Sequence, residues 1–251
     1  PLYFLPTAEI VTAIGRNIIT DTVKSAEEMG LKVIYGDTDS IFVLKPPKDK
    51  MEILMKNLYD KYGIDIEVDK EYRYLMLSNL KKNYLGIKKD GSADIKGLVG
   101  KKSNTPKFIR DTFDDITEQL KQVNDPSDVE KARTRIEDII RGTWNTLRAT
   151  SIEGFTLDTR LLQNLEDYKT NPPAVKAAKQ MIPLPVQGDM ISYIKTWKRS
   201  GVIPANIATI NDVDYPHYEK MFENTMRQLV MPLNINLDAV IRGTQCTLDM
   251  W

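Results

Sequence analysis

The sequence predicts an α+β protein: an antiparallel sheet with flanking helices, followed by a mainly helical region. Three observations carry this prediction. Two apolar runs, Leu31-Lys32-Val33-Ile34 and Ile41-Phe42-Val43-Leu44, flank Tyr35-Gly36-Asp37-Thr38-Asp39-Ser40 and read as a tight β-hairpin. Ile64-Asp65-Ile66-Glu67-Val68 alternates strictly, which is the period of a strand with its acids on one face. After Gly97 the signals change to helix starts and helical apolar spacing.

Taken in order, residues 6 to 29 read as a helix with Ile10, Ile14, Ile18 and Thr22 on one stripe and Gly30 as its stop. The hairpin follows and Pro46-Pro47 closes it. A second amphipathic helix runs from Met51 to Tyr62 and ends at Gly63. Beyond the alternating segment, Tyr72 to Leu80 and Tyr84 to Ile87 continue the β region, with Lys89-Asp90-Gly91 as a turn. Thr105 is the expected N-cap, and Pro106 the first helical residue, of a helix reaching about Gln122. Ser127-x-x-Glu130 forms the pattern of a capping box opening a helix to about Leu147. A helix from Asn171-Pro172 to Gln180, a lone strand from Gly188 to Trp197 and a last helix from Tyr215 to Val230 complete the pattern.

Composition narrows the function classes. The 35 basic and 35 acidic residues cancel overall. Their distribution does not: between Lys70 and Arg110, eleven Lys/Arg stand against Glu71, Asp90 and Asp94. A local excess of that kind is the footprint of a phosphate-binding face, although a solvated lysine-rich surface has the same composition. A single cysteine, Cys246, excludes a disulfide within the chain and suits a reducing compartment. No apolar run is long enough to span a bilayer as a helix.

The hairpin carries the chemistry. Asp37 and Asp39 can both project from its tip, since alternate strand residues share a face. Carboxylates that close repel each other unless a cation lies between them. Hard oxygen donors without nearby His or Cys favour Mg²⁺ over zinc. The same residues also suit an Asx-stabilised turn without a metal. His217, after Asp214-Tyr215-Pro216, reads as a surface or capping residue.

The hexapeptide resembles motif C of family B DNA polymerases, whose palm hairpin carries Tyr-Gly-Asp-Thr-Asp-Ser. Leu80-Lys81-Lys82-Asn83-Tyr84-Leu85-Gly86 looks like the family's Lys-Lys-x-Tyr element at the palm–thumb junction. Asp94-Ile95-Lys96-Gly97 and Lys101-Lys102-Ser103-Asn104-Thr105-Pro106 are similar to its archaeal thumb entry. Ala8-Glu9-Ile10-Val11-Thr12-Ala13-Ile14-Gly15-Arg16 resembles the palm helix before motif C. The family's Asp-x-x-Ser-Leu-Tyr-Pro and Lys-x-x-x-Asn-Ser-x-Tyr-Gly patterns do not occur in these 251 residues.

The resemblance implies a partial polymerase palm followed by a helical thumb: residues 1–94 as the C-terminal part of the palm, 95–240 as the thumb and 241–251 as a tail. It implies template-directed DNA synthesis with two Mg²⁺ ions shared with a partner chain. Asp39 would bridge the metals, with Asp37 beside it and Glu67 near the triphosphate. A surface pair is the alternative role of Glu67. Lys81, Lys82 and Tyr84 would contact primer–template DNA, and Lys101, Lys102 and Lys107 would extend that track. Asn83 departs from the Arg of many relatives. The expected organisation is a small subunit of a split archaeal enzyme, its large subunit supplying exonuclease, fingers and the first catalytic aspartate. A piece of a longer chain is the competing organisation, and a non-catalytic subunit that grips DNA is the competing function.

Gln245, Leu248 and Trp251 would share one side of a 3₁₀ turn. They resemble the box by which archaeal replicative polymerases bind the PCNA sliding clamp, with one aromatic where that box usually ends in two. A frayed tail is the alternative. The expected setting is cytoplasmic and nucleoid-associated, with no membrane contact. The expected partners are the large subunit, primer–template DNA, dNTP and the clamp. A half-palm exposes sheet surface meant for a partner, which predicts poor solubility of the chain alone.

Overall fold

A computed structural model describes residues 5–78, 81–98, 100 and 104–243. The chain folds as two compact units that divide between Glu71 and Tyr72. The architecture is α+β, with seven α-helices and three small antiparallel sheets among the described residues.

In the first unit, helix α1 (Leu5–Glu28) leads into the hairpin β1 (Val33–Asp37) and β2 (Ser40–Val43), followed by α2 (Lys48–Tyr62). Gly30 stops α1 as expected, at φ +74°, and the Leu31 amide donates to the Ala26 carbonyl at 2.9 Å. Reversed chain direction after a helix requires a left-handed residue, for which glycine carries no Cβ penalty. Lys50 Nζ reaches the Met29 carbonyl at 2.6 Å and ties α2 to the start of the hairpin. Asp21 accepts from Lys61 Nζ at 2.7 Å and from the Tyr62 hydroxyl at 2.9 Å, fastening α1 to the end of α2. The core is small: Ala26, Leu31, Leu54 and Leu58 are buried, with Val33, Ile41, Val43 and Ile66 packed against them. The α1 stripe is buried only toward its C-terminal end. Thr22 is 4% exposed, whereas Ile10 and Ile14 are 59% and 52% exposed.

The expected strand at Ile64–Val68 does not form. Residues 63–71 carry no regular secondary structure, and of them only Ile66 packs against the core. Alternation is necessary for a half-buried strand but not sufficient, because the backbone needs a neighbour to pair with. The only sheet described in this unit is the two-stranded hairpin.

The second unit opens on the antiparallel sheet β3 (Tyr72–Leu77), β4 (Tyr84–Lys88) and β5 (Ala93–Lys96), in that order. Its apolar face shares a core with α3 (Lys107–Lys121), α4 (Asp128–Thr146), α6 (Tyr215–Val230) and α7 (Leu237–Arg242). Phe108, Phe155, Tyr218 and Phe222 form the centre, with Phe108 and Phe222 stacked at 6.0 Å and Phe155 meeting Tyr218 edge-on at 5.0 Å. The buried Tyr218 hydroxyl donates to the Phe155 carbonyl at 2.7 Å and accepts from the Lys195 amide at 2.8 Å. A phenol buried this deeply needs such partners.

A second sheet orders β6 (Leu157–Arg160), β7 (Met190–Lys195) and β8 (Val202–Pro204), with the short α5 (Pro173–Ala178) laid on it through Ala174, Ala177 and Ala178. The segment expected as a lone strand is therefore the central one. Its neighbours escaped the sequence reading because they are four and three residues long and carry Asp158, Arg160 and Pro204.

Two helix starts differ from expectation in chemistry. Pro106 itself is the N-cap residue of α3, at ψ 147°, and Lys107 is the first helical residue. The Ser127–Glu130 capping box of α4 is absent: Ser127 is helical and makes no side-chain cap bond. Other partners occupy both groups. The Ser127 amide donates to Asp125 Oδ1 at 2.7 Å, the Asn124 amide donates to Asp128 Oδ2 at 3.1 Å, and Glu130 pairs with Arg133.

Candidate functional site

The hairpin tip is built by an unusual turn. Asp37 pairs with Ser40, Gly36 with Ile41 and Tyr35 with Phe42, whose rings meet edge-on at 5.4 Å. The Asp39 amide donates to the Asp37 carbonyl at 2.5 Å, closing a three-residue γ-turn across Thr38. Thr38 lies at φ +46°, where a β-branched residue is strained. Its hydroxyl donates to Asp37 Oδ1 at 3.0 Å, and Ser40 Oγ donates to the Asp37 carbonyl at 3.3 Å. Strain of this type costs about 1–3 kcal/mol and persists only where the surroundings over-determine it. The turn thus brings Asp37 and Asp39 together at one end of the hairpin. Asp37 is half-buried and Asp39 is exposed.

Glu67 lies in the irregular segment after α2 and is exposed, as is Asp65. Among the described residues no three His, Cys, Asp or Glu side chains gather into a group able to hold a metal. The first unit therefore presents a pair of acids. Two carboxylates are hard donors that fit part of a Mg²⁺ shell, and they leave most of its six positions to other ligands.

The second unit carries the basic element. Lys81 and Lys82 occupy the turn between β3 and β4 and are exposed. Lys82 lies at φ +62°, and the Ser78 amide donates to the Asn83 carbonyl at 3.1 Å across the turn. Tyr84 is only 5% exposed and belongs to the sheet; its hydroxyl lies 3.3 Å from Asp94 Oδ2. The Tyr72 hydroxyl donates to the same oxygen at 2.5 Å. Burial, together with the bond to Asp94, pushes the Tyr72 phenol well above its ordinary range and keeps it a donor. Lys107 is exposed on the first turn of α3 and pairs with Asp111. Lys101, Lys102, Gln245, Leu248 and Trp251 lie outside the described residues.

The Asp94 cluster is what sequence reasoning missed. Its one visible signal is Gly86 inside a strand, which marks a close approach. A Cβ there would lie 2.5 Å from the Tyr72 ring.

A two-acid hairpin preceded by a helix in the first unit, and a lysine turn on a sheet that packs against helices in the second, are the parts described. The comparisons with known proteins give the chain a family. The sequence pattern of DNA polymerase family B matches residues 1–236. DNA polymerase 1 of Saccharolobus solfataricus is 39% identical over 249 residues, covering 96% of this chain and 28% of that protein. DNA polymerase 1 of Sulfolobus acidocaldarius is 40% identical over 250 residues, with the same two shares. The solved family B DNA polymerase from the hyperthermophilic archaeon Pyrobaculum calidifontis aligns with a TM-score of 0.63 and 26% identity, over 93% of this chain and 31% of that one. The chain belongs to DNA polymerase family B. It spans 28% of the length of each of these two relatives.

Proposed function

We propose that the chain takes part in template-directed DNA synthesis as the motif C and thumb portion of a polymerase. In this reading residues 1–94 are the C-terminal palm, 95–240 the thumb and 241–251 a clamp-binding tail. The observation that carries it is the strained Thr38 turn between Asp37 and Asp39 in a chain matched by the family over residues 1–236.

Asp39, exposed at the tip, is the direct metal ligand in this reading. Asp37 supports it: the Thr38 hydroxyl holds its carboxylate, and its own carbonyl holds the Asp39 amide. Fixed negative charge at a fixed distance is what such a site requires of the protein, since positioning and charge neutralisation supply most of the acceleration in phosphoryl transfer. When bound, Mg²⁺ neutralises the triphosphate and lowers the pKa of the primer 3′ hydroxyl. Glu67 serves the triphosphate side. The remaining ligands come from outside these residues: a further aspartate of a large subunit, substrate oxygens and water.

Lys81 and Lys82 contact the primer–template backbone or the minor-groove acceptors common to every base pair, so they grip duplex DNA without reading sequence. Tyr84 supports them from within the sheet. Lys101, Lys102 and Lys107 extend the track, and Gln245, Leu248 and Trp251 engage the sliding clamp.

Primer extension by the chain alone, by a large subunit alone and by the two together tests the reading. Activity in the pair that disappears with Asp39→Ala supports a shared site. Activity indifferent to Asp39→Ala would make the chain an accessory DNA grip. The intact mass of the native protein separates a small subunit from a segment of one longer polypeptide.

A further inference from the structure

The Lys81–Lys82 turn is fixed at both of its downstream edges. On one edge, Asp94 of β5 clasps two phenols, one from β3 and one from β4. Tyr72 comes from the end of β3 opposite Lys88 and Tyr84 is the first residue of β4, so one carboxylate oxygen of Asp94, set opposite Gly86, joins side chains from all three strands. Backbone pairing already sets Gly86 opposite Asp94, so the clasp adds the orientation of the chain at Tyr84, two residues after Lys82. On the other edge, Gly97 lies at φ +73° directly under the turn. A Cβ there would meet Asn83 Oδ1 at 1.9 Å and the Lys82 carbonyl at 2.2 Å. Between these anchors Lys82 adopts φ +62°, a conformation that a lysine holds only when its surroundings enforce it.

We propose that Asp94 is a positioning residue for nucleic-acid binding: by clasping Tyr72 and Tyr84 it fixes the start of β4, holds Lys82 in its left-handed conformation and presents the Lys81 and Lys82 ammonium groups to one duplex backbone. This rests on the reading of Lys81 and Lys82 as DNA contacts. Long lysine side chains lose rotamer freedom on binding, and a turn already fixed at both edges leaves less backbone freedom to lose.

Binding of the full chain to a fluorescein-labelled primer–template duplex, followed by anisotropy over a salt series, tests this. Each phosphate contact contributes about 0.9 to the slope of log K against log salt. Lys81→Ala/Lys82→Ala is therefore expected to lower that slope by about two. Asp94→Ala, with both lysines intact, is expected to reproduce most of that loss. Adding it to the lysine pair should lower the slope no further, because the residues act as one unit. Asp94→Asn, which keeps an oxygen for the phenols, should restore binding. Should Asp94→Ala fail to fold, Tyr72→Phe/Tyr84→Phe removes both donors while keeping the rings and carries the same expectation. A wild-type slope in the Asp94 and tyrosine variants, or a loss that adds to that of the lysine pair, overturns the proposal. A lysine pair without effect overturns the DNA-contact reading itself and leaves Asp94 nothing to position.

Discussion

Thr38 shows in one residue how local strain and chemistry are joined. Its φ of +46° opposes stability, while its hydroxyl bond to Asp37 orients an acid. Thr38→Gly relieves the first and abolishes the second. The variant should match or exceed the parent in thermal stability, and its primer extension with the completing subunit should fall. A stable variant with full activity would remove Thr38 from the account. His217 offers a second test at this scale, as the only histidine in the chain. It is neither a surface nor a capping residue: Asp214 is the N-cap and accepts from the His217 amide, and the half-buried His217 ring packs edge-on against Tyr218. Burial first, and then Lys195 and Lys220 outweighing Asp214, hold its pKa below the usual 6.5. Since the unfolded ring binds its proton at higher pH than the folded one, the stability it contributes is complete above about pH 6.5. That contribution is lost as pH falls through the lowered value. The imidazole proton resonance should titrate below 6.5; a midpoint above it would contradict this environment.

At the scale of elements, periodicity and stop signals were legible, and pairing was not. α1, α2 and α6 follow from apolar spacing together with Gly30, Gly63 and the Asp214-Tyr215-Pro216 start. The hairpin follows from two apolar runs around Gly-Asp-Thr-Asp. Ile64–Val68 failed as a strand because alternation says nothing about whether a partner strand is at hand. β6 and β8 were missed because a three- or four-residue strand is made by its neighbour β7 and not by its own propensity. The α4 capping box failed because Asp125 takes both the amide and the hydroxyl of Ser127, and Arg133 takes the Glu130 carboxylate. The acid pair and the lysine turn were legible as motifs. The Asp94 clasp was not, since it joins residues 22 and 10 positions apart through folding alone. Two substitutions test the packing. Phe222→Ala removes a buried ring stacked on Phe108 and should lower unfolding free energy by about 3–5 kcal/mol in urea titration. Gly97→Ala forces a side chain into the Lys82 carbonyl and should cost at least about 1 kcal/mol, mainly from strain. A neutral Gly97→Ala would mean the turn is not held as described.

At the scale of the molecule, the two units differ in how much they bury. The first encloses four buried apolar side chains among the described residues and leaves Ile10, Val11 and Ile14 of α1 at 59%, 63% and 52% exposure. The second has a core several times larger, running from Met76 to Ile241. Apolar surface of that kind on a helix normally meets a partner. Amides of the first half of α1 should therefore exchange rapidly in the isolated chain, while those of α3 and α6 exchange slowly. Addition of the completing subunit should slow exchange in α1 selectively. Equal protection with and without that subunit would mean the face has another use.

The most direct test is primer extension by the reconstituted pair with Mg²⁺, comparing the parent chain with Asp39→Ala at matched DNA occupancy. The account predicts that synthesis falls by orders of magnitude while DNA binding stays within a few-fold of the parent. Undiminished synthesis by the Asp39→Ala pair would contradict it and leave the hairpin acids without a role in the reaction.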